Sequence, residues 1–397
     1  MVATVNKGTP VGKMFSGNNP MTQDVIPGLE GVPIAHSGVS FVDGQEGILE
    51  YRGINVDALA ESSTFEETAW LLLFGDLPKQ AELYAFKKEM AGYRKLKFRI
   101  IDLIKCLPET GHPMDALQAA VAAIGMFYPR RSIHDPVTRR TSCFRIIAKL
   151  PTVVAAFERL RHGDDHINPR TDLSHAGNFL YMLTGQDPDP IRERILDVCL
   201  ILHADHTMNA STFAGRVVGS TLADPFCVAS SALGALSGPL HGGANEEAIQ
   251  LFKKIAKPEN AKTVVDDMIS RKEKIPGFGH RVYKTVDPRA KILKTYAAQL
   301  TQASSSPTYE IALEVEKIGT AHYGEKGIFP NVDFYAGIVY SELGIPTECF
   351  TPIFAMARSA GWLAHWLEQL ENNRIFRPTQ VYVGQHNRPF TPMVDRA

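Results

Sequence analysis

The feature that most constrains this chain is an apolar pattern with the 3.6-residue period of a helix, which recurs along most of its length. It predicts helices at residues 64–74, 80–94, 113–127, 138–159, 191–205, 229–236, 245–255, 261–271, 288–301, 309–322 and 352–370. Strand signals occur only near the ends, as a hairpin of residues 39–42 and 48–51 and a single strand at 380–383. Because strands and helices do not alternate, a doubly wound sheet is disfavoured. We therefore expect a mainly α fold with short terminal β elements.

The length and the glycine-rich segments indicate two domains. A chain of 397 residues is too long for one ordinary core. The candidate hinges are residues 234–243, which are rich in glycine, and the Gly-Ile-Pro turn at 344–346. We expect a smaller domain, residues 243–343, inserted into a large helical domain formed by residues 1–242 and 344–397.

Charge and cysteine usage exclude several classes of protein. Lys and Arg number 42 against 43 Asp and Glu, so no field of one sign indicates nucleic acid or an anionic membrane. The longest apolar run, residues 69–74, is far shorter than the roughly 20 residues of a membrane span. The five cysteines are scattered without a Cys-x-x-Cys pair, and no signal peptide is evident. We expect a soluble, unprocessed protein of the reducing cytoplasm.

Two polar stretches interrupt the helical pattern in the middle of the chain. His203 and His206, three residues apart, either ligate a metal or lie at a helix end and contact a substrate. His241 lies in a Gly-Pro-Leu-His-Gly-Gly turn before a predicted helix. A helix N terminus disfavours positive charge, so we expect a neutral imidazole that donates a hydrogen bond to a developing enolate. The alternative is a histidine that only fills a tight turn.

Two further polar stretches lie closer to the C terminus. His280, Arg281, Lys284 and Arg289 gather three cations and an imidazole within ten residues, which suits an anionic ligand or forms a solvated basic loop. The Gly-x-Gly before them lacks the strand and third glycine of a dinucleotide site. Asp333 stands in an apolar stretch, either as a helix cap or as a carboxylate made more basic by desolvation. A general base that removes a carbon-bound proton is consistent with the second interpretation.

Taken together and in this order, from the Gly47–Gly53 hairpin segment to Arg377-Pro378, these motifs resemble the citrate synthase family along nearly the whole chain. The resemblance implies a mainly α-helical homodimer with an active site between a large and a small domain. It implies an acyltransferase of the tricarboxylic acid cycle that condenses acetyl-CoA with oxaloacetate and hydrolyses citryl-CoA. It implies no metal or redox cofactor, because coenzyme A enters as a thioester substrate. The chain is similar to the short type, without an N-terminal regulatory β domain, so inhibition by NADH is not expected.

The resemblance also assigns roles to individual residues. The catalytic histidines and aspartate match His241, His280 and Asp333, and the histidine that binds oxaloacetate matches His206. The arginines that bind carboxylates match Arg289, Arg358 and Arg377, the last from the partner subunit. The backbone that holds the coenzyme A adenine matches Pro276, Gly277, Phe278 and Gly279, and the candidates for its phosphates are Arg281, Lys284 and Lys326.

Three alternatives remain open from the sequence. A 2-methylcitrate synthase, which uses propionyl-CoA, would share every catalytic residue, since one methylene discriminates by only about 1 to 3 kcal/mol. A hydrolytic metal site would use His203, His206 and His241 with an aspartate, although no His-Glu-x-x-His pattern is present. A helical scaffold without catalysis would leave the glycine-flanked histidines and the arginines without a purpose.

Overall fold

Sixteen α-helices account for most of residues 25–128 and 133–396, the part of the chain that the computed structural model describes. They are α1 (Val56–Ser62), α2 (Phe65–Phe74), α3 (Gln80–Tyr93), α4 (Phe98–Lys105), α5 (Pro113–Gly125), α6 (Pro136–Arg161), α7 (His175–Thr184), α8 (Pro190–His203), α9 (Ala210–Ser220), α10 (Pro225–Leu236), α11 (Ala244–Ile255), α12 (Ala261–Ser270), α13 (Pro288–Ser304), α14 (Thr308–Tyr323), α15 (Val332–Glu342) and α16 (Phe350–Glu371). The prediction of a mainly α fold is confirmed.

The eleven predicted helices are all present, and α1, α4, α7, α9 and α15 were not predicted. Helix α9 shows why a periodic pattern misses some helices. Its glycines carry no hydrophobic signal, yet a Cβ at Gly219 would lie 2.8 Å from Trp366 Cδ1. Small residues at this crossing let α9 approach α16 closely, so tertiary packing outweighs the weak helix propensity of glycine.

One antiparallel sheet has the order β1 (Ser40–Asp43), β2 (Ile48–Tyr51) and β3 (Ile54–Asn55). The predicted hairpin is confirmed, with Phe41 opposite Glu50. The predicted strand at 380–383 is wrong, because these residues pair with no strand of the described chain. Tyr382 and Val383 are 51% and 93% exposed. High β propensity has no effect without a neighbouring strand to complete the backbone hydrogen bonds.

Helix α16 lies at the centre of the fold and is buried along most of its length. It packs against α2, α6, α8, α9 and α10, which surround it. A helix that is apolar on every side is a core helix. The charged residue Arg358 is only 1% exposed within it, so the fold places a guanidinium where little water reaches it.

Residues Ser37–Ile375 form one compact unit, which contains every helix α1–α16 and the sheet. The described parts of Met1–His36 and Phe376–Ala397 form the other unit. Neither observation tests the predicted domain of residues 243–343, which stays a prediction. No helix within the described ranges is long and apolar enough to cross a membrane. The predicted unprocessed N terminus falls largely on residues 1–24, outside the described residues.

Candidate active site

Helix α16 organises the loop that follows α8. Arg358 Nε donates to the carbonyl oxygen of His203 over 2.7 Å. One turn later, the Gly361 N–H donates to the Ala204 carbonyl oxygen over 3.1 Å. A Cβ at Gly361 would lie 2.5 Å from that oxygen, so only glycine allows the loop to come this close. The next residue but one in the loop is His206, whose backbone is thereby tied to the core.

His206 is buried beside the loop that carries His280. Its Nε2 lies 3.2 Å from the Tyr283 hydroxyl, and its ring centroid is 4.9 Å from that of His280 in an edge-to-face arrangement. Burial, followed by the charges of Arg289, His280 and Arg358, lowers the pKa of His206 well below its usual value. The imidazole is therefore neutral at pH 7 and acts through hydrogen bonds.

His241 lies in the turn between α10 and α11, as predicted. The Ser211 N–H donates to His241 Nε2 over 3.3 Å, and the Ser211 Oγ lies 2.9 Å from the same nitrogen. Since Nε2 accepts, the proton of the neutral ring resides on Nδ1. Burial, then Arg358, lowers the pKa of His241 to about 4. The expected neutrality is supported, and burial is its largest cause.

Ser211 is held in turn by two neighbours, and sequence reasoning did not single it out. Its hydroxyl donates to Asn209 Oδ1 over 2.7 Å and accepts from Trp362 Nε1 over 3.1 Å. Asn209 is the N-cap of α9, and Trp362 belongs to α16. The orientation of the His241 imidazole is thus fixed by two helices. An Asn before an Ala-Ser-Thr run was a cap signal that the sequence did contain.

His280 has the opposite tautomer. Its Nδ1 accepts the backbone N–H groups of Val282 over 3.0 Å and Tyr283 over 3.3 Å. The proton of the neutral ring is therefore on Nε2. Burial, followed by Arg289, lowers its pKa to about 4. His241 and His280 accordingly offer one N–H each, from different ring nitrogens, without first having to gain a proton.

The Pro-Gly-Phe-Gly loop joins His280 to the start of α15. Gly277 and Gly279 have φ of 75° and 86°, which favour glycine, and a Cβ at Gly277 would lie 2.8 Å from Phe334 Cα. The Gly279 N–H donates to Phe329 O, and the Asn331 N–H donates to Gly277 O, each over 2.8 Å. These bonds bring the loop beside Asp333. They also use the Gly279 amide internally, so it is not available to the anion that the sequence suggested.

Asp333 is the second residue of α15, and Asn331 caps that helix by accepting the Asp333 N–H over 3.0 Å. The capping interpretation of Asp333 is therefore wrong. Its Oδ1 is buried and has no hydrogen-bond partner among the described residues. Burial raises the pKa of Asp333 to about 7, although Arg289 and Arg358 oppose the shift. The group is a carboxylate with unusual basicity near neutral pH.

Arg289 is buried in a bidentate ion pair with Asp287, which Nε and Nη2 reach at 3.0 and 2.7 Å. Asp287 also caps α13 and raises the pKa of Arg289 against the effect of burial. The sequence analysis overlooked Asp287, although Asp-Pro before a helix is a recognisable N-cap signal. The pairing keeps one face of the guanidinium in a fixed orientation, which is a requirement for bidentate recognition.

The charge of Arg358 affects the pKa of four predicted site residues. Its guanidinium carbon lies 4.6 Å from the centre of the Phe354 ring, and burial lowers its pKa to about 10. Its charge contributes to lowering the pKa of each predicted group, namely His206, His241, His280 and Asp333. Such coupling acts over short distances in a protein interior. The four groups thus share electrostatic coupling to one buried cation, and His206, His280 and Asp333 are coupled more strongly to Arg289.

The remaining predicted residues lie at the surface. Arg281, Lys284 and Lys326 are exposed, and the Lys326 ammonium lies 5.8 Å from the Tyr323 ring centre. Arg377 belongs to the unit formed by the termini, where its Nη1 donates to the Pro378 carbonyl. Their proposed contacts with coenzyme A phosphates and a substrate carboxylate stay predictions.

The described residues contain no group of three or more His, Cys, Asp or Glu placed to hold a metal ion. His203 Nδ1 donates instead to the Cys199 carbonyl oxygen over 2.7 Å, within α8. The metal-site hypothesis for His203 and His206 therefore finds no ligand set in this part of the chain.

Comparison with known proteins supplies an independent line of argument. The family model described as "Citrate synthase, C-terminal domain" matches residues 28–379. The citrate synthase of Synechocystis sp. is 55% identical over 370 residues, 93% of each chain. The structure of citrate synthase from Pyrobaculum aerophilum superposes with a TM-score of 0.89 at 42% identity, covering 94% of this chain and 95% of that one. The Thermoplasma acidophilum enzyme, solved as a ternary complex with carboxymethyl coenzyme A and oxaloacetate, gives 0.91 at 36% identity, covering 94% and 100%.

Proposed function

The chain belongs to the citrate synthase family, and from this premise we propose how its residues condense acetyl-CoA with oxaloacetate and hydrolyse citryl-CoA to citrate and coenzyme A. The observation that carries the proposal is the state of Asp333. A buried carboxyl oxygen without a partner, on a group with a pKa of about 7, is a base suited to a weakly acidic carbon. The relatives reported above are all named citrate synthase, so the propionyl-CoA alternative gains no support from them.

In the first step, Asp333 removes a proton from the methyl group of acetyl-CoA. The electrons of that C–H bond move into a carbon–carbon double bond, and those of the thioester carbonyl move onto its oxygen. The Nδ1–H of His241 donates a hydrogen bond to this oxygen, because its Nε2 is already occupied by Ser211. Base and donor act together, since neither alone makes the methyl proton acidic enough.

In the second step, the enolate carbon attacks the ketone carbon of oxaloacetate. The electrons of the enolate double bond form the new carbon–carbon bond, and those on the enolate oxygen restore the thioester carbonyl. The ketone electrons move onto oxygen, to which the neutral His280 donates a hydrogen bond through Nε2–H. This oxygen takes up one proton and Asp333 releases the one that it removed, so the condensation gains and loses no net proton. His206 binds the same substrate, and Arg289 and Arg358 hold its carboxylates in position. Arg377 completes the site from the partner subunit of a homodimer. The planar guanidinium groups fix the ketone relative to the nucleophile, which lowers the entropic part of the barrier.

The thioester of citryl-CoA is then hydrolysed by water. Because acetyl-CoA must not meet water earlier, we propose that the domain of residues 243–343 closes only after oxaloacetate binds. That domain carries the proposed coenzyme A contacts, the backbone of residues 276–279 with Arg281, Lys284 and Lys326. Side chains serve the deprotonation and the condensation, and the proposal includes no metal or redox cofactor. Cys106, Cys143, Cys199 and Cys349 are free thiols, which is consistent with a cytoplasmic location.

The test is release of free coenzyme A thiol when the protein is mixed with acetyl-CoA and oxaloacetate, with propionyl-CoA assayed in parallel. Asp333→Ala should lower turnover by several orders of magnitude and leave oxaloacetate affinity nearly unchanged. The control is Asp102→Ala, an exposed position on α4, which should behave as wild type. Ordinary turnover of Asp333→Ala would remove this residue as the base. A preference for propionyl-CoA would reassign the acyl substrate.

A further inference from the structure

Thr207, directly after His206, has an unusual backbone conformation. Its φ is 51°, in the left-handed region that residues with a β-branched side chain rarely occupy. Such conformations persist only where the surrounding structure enforces them. The segment is short, because α8 ends at His203 and α9 begins at Ala210. The direction in which the His206 side chain leaves the loop therefore depends on what holds the next residue in place.

Two side chains from different parts of the chain hold Thr207. Its N–H donates to Ser40 Oγ over 3.0 Å and to Asp205 Oδ2 over 3.2 Å. The Ser40 hydroxyl in turn donates to the same Asp205 oxygen. Ser40 is the first residue of strand β1, and its hydrogen bond to Asp205 joins the sheet to a loop 165 positions later in the sequence. The three groups form a closed set of hydrogen bonds around one backbone amide.

The Asp205 side chain is held in turn by helix α16. His365 on α16 donates from Nε2 to Asp205 Oδ2 over 3.2 Å, and both side chains are buried. The other carboxylate oxygen, Oδ1, lies so close to the α16 backbone that a Cβ at Gly361 would be 2.2 Å from it, and the Asp205 side chain is fully buried. Burial opposes the ionisation of Asp205, yet His365, Arg358 and the Ser40 hydroxyl hold its pKa below the ordinary value. The acceptor is thus a rigid carboxylate.

We propose that Ser40, Asp205 and His365 form a clamp that keeps Thr207 in its left-handed conformation and so orients His206 before oxaloacetate arrives. The clamp residues contact the loop rather than the substrate, so they are positioning residues. The inference rests on the proposed role of His206 in binding oxaloacetate. A preset imidazole costs less on binding than one that must be ordered by the ligand. Loss of the clamp should therefore appear in substrate affinity rather than in the chemical step.

Removal of the Ser40 hydroxyl leaves Asp205 as the single acceptor for the Thr207 amide in this part of the structure. The threonine then relaxes toward extended backbone, and His206 is displaced. Ser40→Ala should weaken oxaloacetate binding about tenfold in calorimetry and raise its KM similarly, with kcat within about twofold of wild type. Ser40→Thr, which keeps the hydroxyl, should retain affinity. If Ser40→Ala does not fold, Asp205→Asn tests the same clamp with the same expected loss.

A glycine at position 207 tests whether Ser40 acts by holding the backbone of this residue or only by stabilising the fold. Glycine occupies positive φ at no steric cost, so Thr207→Gly added to Ser40→Ala should restore oxaloacetate affinity to within about threefold of wild type. The matched control is Leu222→Gly, at another non-glycine residue with positive φ, 62°, outside this hydrogen-bond set. It should relieve local strain but not restore affinity in the Ser40→Ala background.

Two results would overturn the clamp: Ser40→Ala with wild-type affinity, or a double variant with Thr207→Gly that binds as weakly as Ser40→Ala alone. Failure of the proposed function is separate, since it would appear as a wild-type protein that neither binds oxaloacetate nor releases coenzyme A thiol.

Discussion

Replacing Asp333 with asparagine should stabilise the fold at high pH while it removes the proposed base. The carboxyl group has a pKa of about 7 in the folded protein against an ordinary value of 3.8. The folded state therefore holds its proton more tightly than the unfolded state does. The contribution of this group to stability is fully present below about pH 4 and is lost as the pH rises to about 7. Asparagine keeps the shape of the group and cannot ionise.

The size of the effect follows from the shift. About three pKa units correspond to about 4 kcal/mol, the full cost of an ionised Asp333 in the folded state. Between pH 5 and pH 8, the interval over which most of this cost develops, the wild type should lose about 2 to 3 kcal/mol of unfolding free energy relative to Asp333→Asn. The variant should be the more stable protein at pH 8 and the less active one at every pH.

The assay is denaturant unfolding of wild type and Asp333→Asn at pH 5, 6, 7 and 8, with turnover measured on the same preparations. Asp102→Asn, at an exposed position of α4, is the control and should follow the wild type throughout. Parallel stability profiles for wild type and Asp333→Asn would refute the raised pKa. Retained turnover in the variant would refute the assignment of the base.

Three more variants test other residues of the proposed site. Arg358→Ala should weaken oxaloacetate binding by at least about thirtyfold, roughly 2 kcal/mol, because a substrate carboxylate loses its partner; an unchanged calorimetric isotherm would reassign the arginine. Ser211→Ala should lower kcat about tenfold without changing oxaloacetate affinity, since it loosens the orientation of His241, and steady-state kinetics would detect a normal kcat as a failure. Arg377→Ala should be inactive alone, yet mixed dimers with His241→Ala should regain activity if the site is shared between subunits; no regain would place Arg377 elsewhere.

The sequence contained most of the site because its residues lie in short, distinctive motifs. His241, His280 and Asp333 each stand among glycines or apolar residues, where a polar side chain is expensive to bury and therefore conspicuous. Their pattern predicted which residues form the candidate site, but it could not predict the protonation states that burial and distant charges give them. The neutrality of His241 arises from burial and from Arg358, which is 117 positions away, and no local pattern reports such a contact.

Features that depend on long-range contacts were missed. The left-handed conformation of Thr207 has no local signal, since threonine does not favour positive φ and its stabilising partner Ser40 lies on the first strand. The prediction of a strand at 380–383 was wrong for a related reason, because the local pattern does not show whether a second strand is available for pairing. In contrast, the Asp287 cap was overlooked although the Asp-Pro helix start signals it locally, whereas its ion pair with Arg289 is seen only in the structure.

The most direct test of the account is exchange of the acetyl methyl protons of acetyl-CoA with deuterated water, followed by NMR in the presence of malate. Malate has carboxylates but no ketone, so it fills the oxaloacetate site without allowing condensation. We expect exchange in the wild type. We also expect it in His280→Ala, because His280 acts on the ketone oxygen of oxaloacetate, which malate lacks. Exchange should be lost in both Asp333→Asn and His241→Ala. Exchange that persists without Asp333, or that needs only one of the two groups, would contradict the shared role of carboxylate and neutral imidazole.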